Sequence, residues 1–155
     1  MTVATVMTRE TASCPRSATL SDAAKLMWDN DCGMIPVVDA DGAPVGILTD
    51  RDICMATATR DRTPSDIRVA EVIDGRDVIT CSAEDGFRDA LDLMAEHGVR
   101  RLPVVDEDGN LEGILSIADL IAAASSRGGK QGPSFKAVVT TLQTLCEPHE
   151  AVLEA

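Results

Sequence analysis

The chain contains very few aromatic residues. Its 155 residues include one tryptophan, two phenylalanines and no tyrosine, so it offers few rings on which unpaired bases could stack. Basic residues are also outnumbered, because 14 Lys and Arg stand against 26 Asp and Glu, a formal charge of −12. A protein that binds a phosphate backbone gathers positive charge instead. The composition therefore argues against nucleic acid as a partner.

Metal, disulfide, export and membrane signals are missing as well. The five cysteines are odd in number and form no Cys-x-x-Cys pair, and only two histidines accompany them, so no zinc-ligand spacing is present. No apolar run approaches the roughly 20 residues of a membrane span. No basic stretch followed by an apolar run opens the chain. We expect reduced thiols, no metal, no membrane contact and a cytoplasmic location.

The dominant positive feature is an internal repeat. Residues 36–49 (PVVDADGAPVGILT) return as residues 103–116 (PVVDEDGNLEGILS), a shift of 67 positions. The same shift pairs Cys14 with Cys81, which indicates two small packing positions. Repetition determines architecture, and two copies are too few for an open solenoid. We expect a closed pair around a pseudo-twofold axis, with a groove between the copies.

Each copy carries an apolar stripe of helical period. In the first copy Thr19 is a candidate N-cap, with Asp22 three residues further on. The second copy repeats the stripe over residues 87–95. We expect one core-facing helix in each copy. The stripe of the first copy consists of Leu20, Ala23, Ala24, Met27 and Trp28.

Strand signals surround each helix. Two short β-branched runs flank Asp-Gly at residues 41–42 and again at residues 108–109, which predicts a β-hairpin in each copy. Short apolar stretches at residues 11–13 and 78–80 predict one further strand in front of each copy. A second helix follows each hairpin. The predicted fold class is α/β (α+β), with the order strand, helix, strand, strand, helix in each repeat.

Composition divides the chain into five segments. Residues 1–58 and 69–124 hold the two copies, joined by a polar linker at 59–68. Residues 125–134 contain three glycines and a proline, which predicts a flexible joint. Residues 135–155 carry apolar residues at helical spacing and predict a C-terminal helix without a counterpart in the repeats. That helix packs either on its own domain or at a dimer interface.

Two segments resemble the signature that closes a CBS (cystathionine-β-synthase-type) domain. They are residues 46–53 (GILTDRDI) and 113–120 (GILSIADL). The Pro-Val-Val-Asp runs before them and the Val-Met-Thr start at residues 6–8 also match. The resemblance implies a tandem pair called a Bateman module, which often dimerises into a disc of four repeats. It further implies clefts that bind AMP, ADP, ATP, S-adenosylmethionine or a dinucleotide, and a sensor role.

Both signatures place a hydroxyl and a carboxylate on the first turn of a helix, as Thr49 with Asp52 and as Ser116 with Asp119. A carboxylate can accept hydrogen bonds from both hydroxyls of a ribose, and a helix start can hold a phosphate. The same spacing is also a capping box, which needs no ligand. The spacing leaves both interpretations open, and the resemblance favours ligand binding.

Cations and apolar walls complete the candidate site. Arg51 lies inside the first signature, and Arg100 and Arg101 precede the second hairpin. None of them has a basic counterpart in the other copy, so we expect two clefts of different affinity. The resemblance implies a phosphate contact for such residues, above all Arg101; alternatively, they neutralise nearby carboxylates. Ile35 and Leu102 are core residues that could also form walls for a base.

The sequence leaves three function classes open. The first is a regulatory module that binds an adenine nucleotide or a related molecule, with no cofactor required. The second is a ligand-free structural module that acts through protein contacts. The third is an enzyme, but the sequence contains no nucleophile–base pair, glycine-rich phosphate loop or metal cluster. We expect the first: a homodimer that acts on an unidentified regulated protein and is not an enzyme.

Overall fold

The computed structural model describes residues 2–126 and 134–147. It confirms the predicted order of strand, helix, strand, strand, helix in both copies, and with it the fold class. Short 3-10 helices at Val3–Thr5 and Pro64–Asp66 precede the two copies. The strands and helices are β1 (Cys14–Pro15), α1 (Leu20–Asp29), β2 (Met34–Val38), β3 (Pro44–Thr49), α2 (Asp50–Arg60), α3 (Ala70–Ile73), β4 (Cys81–Ser82), α4 (Phe87–His97), β5 (Arg101–Val105), β6 (Leu111–Ser116), α5 (Ile117–Ser126) and α6 (Phe135–Cys146).

Each copy builds a three-stranded mixed sheet. In the first sheet β1 lies parallel to β2, and β2 lies antiparallel to β3. The second sheet repeats this arrangement with β4, β5 and β6. The predicted hairpin turns contain Gly42 and Gly109 with φ of +93° and +86°, a backbone conformation that glycine adopts without strain. Both hairpins are therefore confirmed.

The strand in front of each copy lies later than predicted. The placement at residues 11–13 and 78–80 is wrong, because pairing with the hairpin begins only at Cys14 and Cys81. Both cysteines are buried, which confirms their packing role. Burial, aided by the charges on Asp22 and Asp85, raises the pKa of the Cys14 thiol to about 11 and that of Cys81 to about 12.

Helix α1 begins with the predicted capping box. The Asp22 N–H donates to Thr19 Oγ1 at 3.1 Å, and the Thr19 N–H donates to Asp22 Oδ2 at 3.0 Å.

The prediction that Trp28 belongs to the core-facing stripe of α1 is wrong, because its side chain is 87% exposed. One residue further along a helix is a rotation of about 100°, which carries Trp28 away from the arc that faces the core. The buried residues of α1 are Leu20, Ala23 and Met27.

The segment that leads into each copy packs on the other copy. Val3 and Met7 are buried among core residues of the second copy. Thr8 and Ile114 exchange two backbone hydrogen bonds of 2.9 Å. In return, Ile67 accepts a backbone hydrogen bond from Leu20 at 2.9 Å. Each copy thus closes the core of the other. The residues that complete the core of the first copy are Ile67, Val69, Val72 and Ile73.

Helix α6 lies against α4 and α5 of the second copy. Val138 and Thr141 form its buried face, which confirms the C-terminal helix over Phe135–Cys146. The equivalent face of the first copy, on α1 and α2, lacks such a cover among residues 2–126 and 134–147.

With twelve residues α6 is the longest helix described, and none of the helices in these ranges is long and apolar enough to cross a membrane.

Two repeat-equivalent glycines test this exchange of segments. A Cβ on Gly113 would lie 2.5 Å from the Thr8 carbonyl oxygen, whereas one on Gly46 would meet the Ile73 side-chain end at 2.8 Å. The Thr8 backbone is held by its hydrogen bonds with Ile114, so it moves less easily than the flexible end of the Ile73 side chain. We expect Gly113→Ala to lower the free energy of unfolding by about 1–3 kcal/mol and Gly46→Ala by clearly less. Urea unfolding measures both, and equal losses would contradict the expectation.

Candidate functional site

Helices α2 and α5 begin with the same hydrogen-bonded box. At α2, the Thr49 N–H and Oγ1 donate to Asp52 Oδ2 at 3.0 and 2.8 Å. At α5, the Ser116 N–H and Oγ donate to Asp119 Oδ2 at 2.8 and 2.6 Å. The capping interpretation is therefore correct for both motifs. Each box uses only the Oδ2 atom of its carboxylate, so Oδ1 can accept a further hydrogen bond.

A cleft of about 340 Å³ opens between the two copies beside α5; we call it the Asp119 cleft. It brings together three predicted site residues, Arg101, Ser116 and Asp119. Asp119 Oδ1 accepts no hydrogen bond from the described residues. The cleft volume falls within the roughly 300–1,000 Å³ typical of small-molecule pockets. The remaining lining residues are Thr8, Glu10, Thr11, Ala12, Asn30, Asp31, Cys32, Gly33, Met34 and Ile114.

The counterpart at the start of α2 is smaller; we call it the Asp52 cleft after the carboxylate of that helix cap, although Thr49 rather than Asp52 lines it. Its volume is about 170 Å³, and Thr49, Arg100 and Arg101 contribute to its lining together with Met34, Ile47 and Val99. Asp52 is 17% exposed, and its Oδ1 atom accepts a hydrogen bond from Arg76 Nη1 at 2.8 Å. Burial favours a raised pKa for Asp52, but the hydrogen bonds from Arg76 and Thr49 outweigh it and hold the pKa below its usual value.

The other predicted site residues lie outside the lining of these two clefts. Arg51 is exposed on the first turn of α2, where its N–H donates to Asp50 Oδ1 at 2.7 Å. Ile35 and Leu102 are fully buried, one in the core of each copy. Their contribution here is to core packing. Their ligand roles and that of Arg51 remain predictions.

Sequence reasoning missed three charged residues of the site. Arg76 contacts Asp52, while Glu10 and Asp31 line the Asp119 cleft. The signal for Arg76 was present, because the shift of 67 aligns it with Arg9, so both copies carry an arginine at this position. Glu10 and Asp31 precede and follow the first strand–helix unit, and no motif marked them. Only the packing of the two copies brings them to one cleft.

The lining of the Asp119 cleft is acidic. Three acidic residues, Glu10, Asp31 and Asp119, line it together with one basic residue, Arg101. Such a surface accepts hydrogen bonds from hydroxyl and amino groups and repels a strongly anionic molecule. Within residues 2–126 and 134–147, no three His, Cys, Asp or Glu side chains are grouped to hold a metal ion. The arrangement therefore suits a polar organic ligand of low negative charge.

Two equivalent units that complete each other's cores and share clefts at their boundary define a paired-repeat binding module. The model of the CBS domain family matches residues 3–58 and 69–126. The chain belongs to this family, as a CBS pair of the Bateman type.

Relatives support this assignment. The chain is 39% identical over 118 residues to the CBS domain-containing protein YhcV of Bacillus subtilis, across 74% of this chain and 79% of that protein. Several other relatives are longer, and the chain spans between 20% and 63% of their length.

Solved structures share the fold. The CBS domain pair of protein MJ0100, in complex with 5′-methylthioadenosine and S-adenosyl-L-methionine, has a TM-score of 0.69 and 25% identity, across 84% of this chain and 98% of that chain. The CBS domain protein PAE2072 from Pyrobaculum aerophilum, complexed with AMP, has a TM-score of 0.68 and 29% identity, across 77% of this chain and 90% of that chain.

The Asp52–Arg76 pair predicts a pH effect. The folded pKa of Asp52 lies below its unfolded value, so the ionised carboxylate stabilises the fold above roughly pH 4, and this contribution is lost as the pH falls through the folded pKa. Arg76→Met should raise the pKa of Asp52, whereas Arg9→Met, its repeat-equivalent control, should not. NMR titration of the Asp52 carboxyl carbon measures this; an unchanged pKa in Arg76→Met would refute it.

Proposed function

We propose that this chain is a regulatory module that binds an adenosine-containing ligand in the Asp119 cleft. The observation that carries the proposal is the hydrogen bonding of the Asp119 carboxylate. One of its carboxylate oxygens caps α5, and the other has no donor among the described residues. Two solved structures of similar CBS proteins contain adenosine compounds, which supports this class of ligand.

The cleft offers a partner for each part of such a ligand. Asp119 Oδ1 can accept hydrogen bonds from the ribose hydroxyls. The apolar parts of Ala12, Met34 and Ile114 can contact the base. Arg101 and the start of α5 can hold a single anionic group, because the guanidinium and the positive end of the helix dipole favour negative charge there.

The charge of the cleft selects among adenosine compounds. Glu10, Asp31 and Asp119 outnumber Arg101, and a triphosphate would add several negative charges to a surface that is already acidic. A neutral nucleoside, a sulfonium compound or a monophosphate meets less repulsion. We therefore place 5′-methylthioadenosine, S-adenosylmethionine and AMP ahead of ATP.

Binding rather than catalysis is the proposed output. The hydrogen bonds between Ser116 and Asp119 serve to begin α5, so we assign them to capping, and a bound ligand acts by stabilising one state of the module. The signal then passes to an unidentified regulated protein. A cytoplasmic location stays a prediction, and it fits the five cysteines, none of which forms a disulfide.

A thermal-shift and calorimetry panel tests the proposal. We expect 5′-methylthioadenosine, S-adenosylmethionine or AMP to raise the melting temperature by several degrees near 100 times Kd, since such occupancy adds about 2.7 kcal/mol. Asp119→Asn should weaken binding by about 10- to 150-fold, the equivalent of a charged hydrogen bond of about 1.5–3 kcal/mol.

Asp22→Asn is the matched control for this variant. Asp22 makes the same capping contacts with Thr19, at 3.0 and 2.7 Å, but does not line the Asp119 cleft. It should change stability in a similar way and leave affinity unchanged. If no compound shifts the melting temperature, the structural-module alternative replaces this proposal.

We further infer a homodimer through the face formed by α1 and α2. Trp28 and Met55 are 87% and 51% exposed there. A groove of about 390 Å³ between these helices contains Met27, Trp28 and Ile53. In the second copy α6 covers the equivalent face, so a helix is the kind of element that fits. A second chain brings the same two helices to a twofold axis.

Paired tryptophan and phenylalanine variants test this interface. Trp28→Ser should convert the dimer to a monomer, because a buried tryptophan near an interface centre contributes strongly to binding. Phe135→Ser removes another exposed aromatic side chain, 63% exposed on α6, and should leave the dimer intact. Sedimentation velocity at micromolar concentration measures both. A monomeric unmodified protein, or dissociation by Phe135→Ser alone, would refute the assignment.

A further inference from the structure

The two copies use their repeat-equivalent arginines differently. Arg76 donates to Asp52 Oδ1 at 2.8 Å, so both carboxylate oxygens of Asp52 have protein donors. Arg9 occupies the equivalent position in the other copy, but its guanidinium pairs with Glu112. Asp119 therefore keeps its Oδ1 atom for another partner, whereas Asp52 does not.

A sequence difference between the copies matches this divergence. The shift of 67 aligns Glu112 with Val45. Arg9 pairs with this carboxylate on strand β6, whereas the aligned Val45 on β3 has no carboxylate to offer Arg76. Arg76 pairs with Asp52 instead. The arginine position is shared by both copies, and the neighbouring residue decides its partner.

The pairing has a direct consequence for the Asp52 cleft. A ribose hydroxyl that donates to Asp52 must compete with a cation already bound to the same oxygen. Independently of this pair, the neighbouring cavity, which Thr49 rather than Asp52 lines, has a volume of only about 170 Å³, below the roughly 300 Å³ at which small-molecule pockets begin. The Asp119 cleft has twice this volume, and none of the described residues donates a hydrogen bond to Asp119 Oδ1.

We propose that Arg76 is an internal guanidinium competitor that occupies the carboxylate of Asp52, so that the chain binds adenosine compounds at one strong site rather than two. This inference rests on the proposed function of the Asp119 cleft. Arg76 acts as a specificity-determining residue for the number of sites. Because its side chain is 53% exposed, solvent screens the pair, and a high ligand concentration can displace it.

The experiment isolates the Asp52 cleft in an Asp119→Asn background. Calorimetric titrations use 5′-methylthioadenosine and AMP as probes. We expect unmodified protein to bind one equivalent strongly, and Asp119→Asn to bind weakly. Adding Arg76→Met should tighten the remaining binding by at least about tenfold, since removing an occupant restores the competent state of the site. Arg9→Met in the same background is the matched control and should give no gain.

The outcomes separate the two proposals. No binding of either probe to the unmodified protein refutes the proposed function. Binding to the unmodified protein without a gain from Arg76→Met overturns the role of Arg76, as does a titration of the unmodified protein that shows two equal sites. An equal gain from Arg9→Met would assign the effect to net charge and overturn it too. Circular dichroism and melting temperature confirm that every variant is folded.

Discussion

The mutual closure of the two cores is the constraint on which the rest of the structure depends. Neither copy completes its own core, because Val3 and Met7 pack on the second copy and Ile67 and Val69 pack on the first. Each lead segment then continues directly into the boundary between the copies. Thr8 pairs with Ile114 there and lines the cleft. Core packing thus brings residues of both copies to a single binding surface.

The carboxylate of the helical box has two atoms with separable tasks. Oδ2 accepts the capping hydrogen bonds that begin the helix, and Oδ1 is available for a different partner. Capping and ligand binding are therefore compatible at Asp119, although the sequence presented them as alternatives. The cap also fixes the orientation of the carboxylate before any ligand arrives, which lowers the entropy lost on binding.

Near-identical repeats produce unequal clefts because charge pairing depends on neighbours. Both copies have the box and the arginine, yet Glu112 engages Arg9 and leaves Asp119 accessible, whereas Arg76 pairs with Asp52. A second asymmetry follows from α6, which covers the helical face of the second copy and leaves Trp28 exposed on the first. One copy thus keeps a carboxylate oxygen without a described donor, and the other has a helical face that no described residue covers.

The sequence by itself determined the repeat, the order of elements, the hairpin glycines and the capping boxes, because each depends on residues close together in the chain. Through the family resemblance it also named Asp119, Ser116 and Arg101 as candidate site residues, and the structure brings these three to one cleft. Only the tertiary structure decided the exchange of the leading segments, the exposure of Trp28 and the pairing of Arg76 with Asp52. These features depend on contacts between residues far apart in sequence, so two residues that the local pattern treats as equivalent, such as Arg9 and Arg76, acquire different partners.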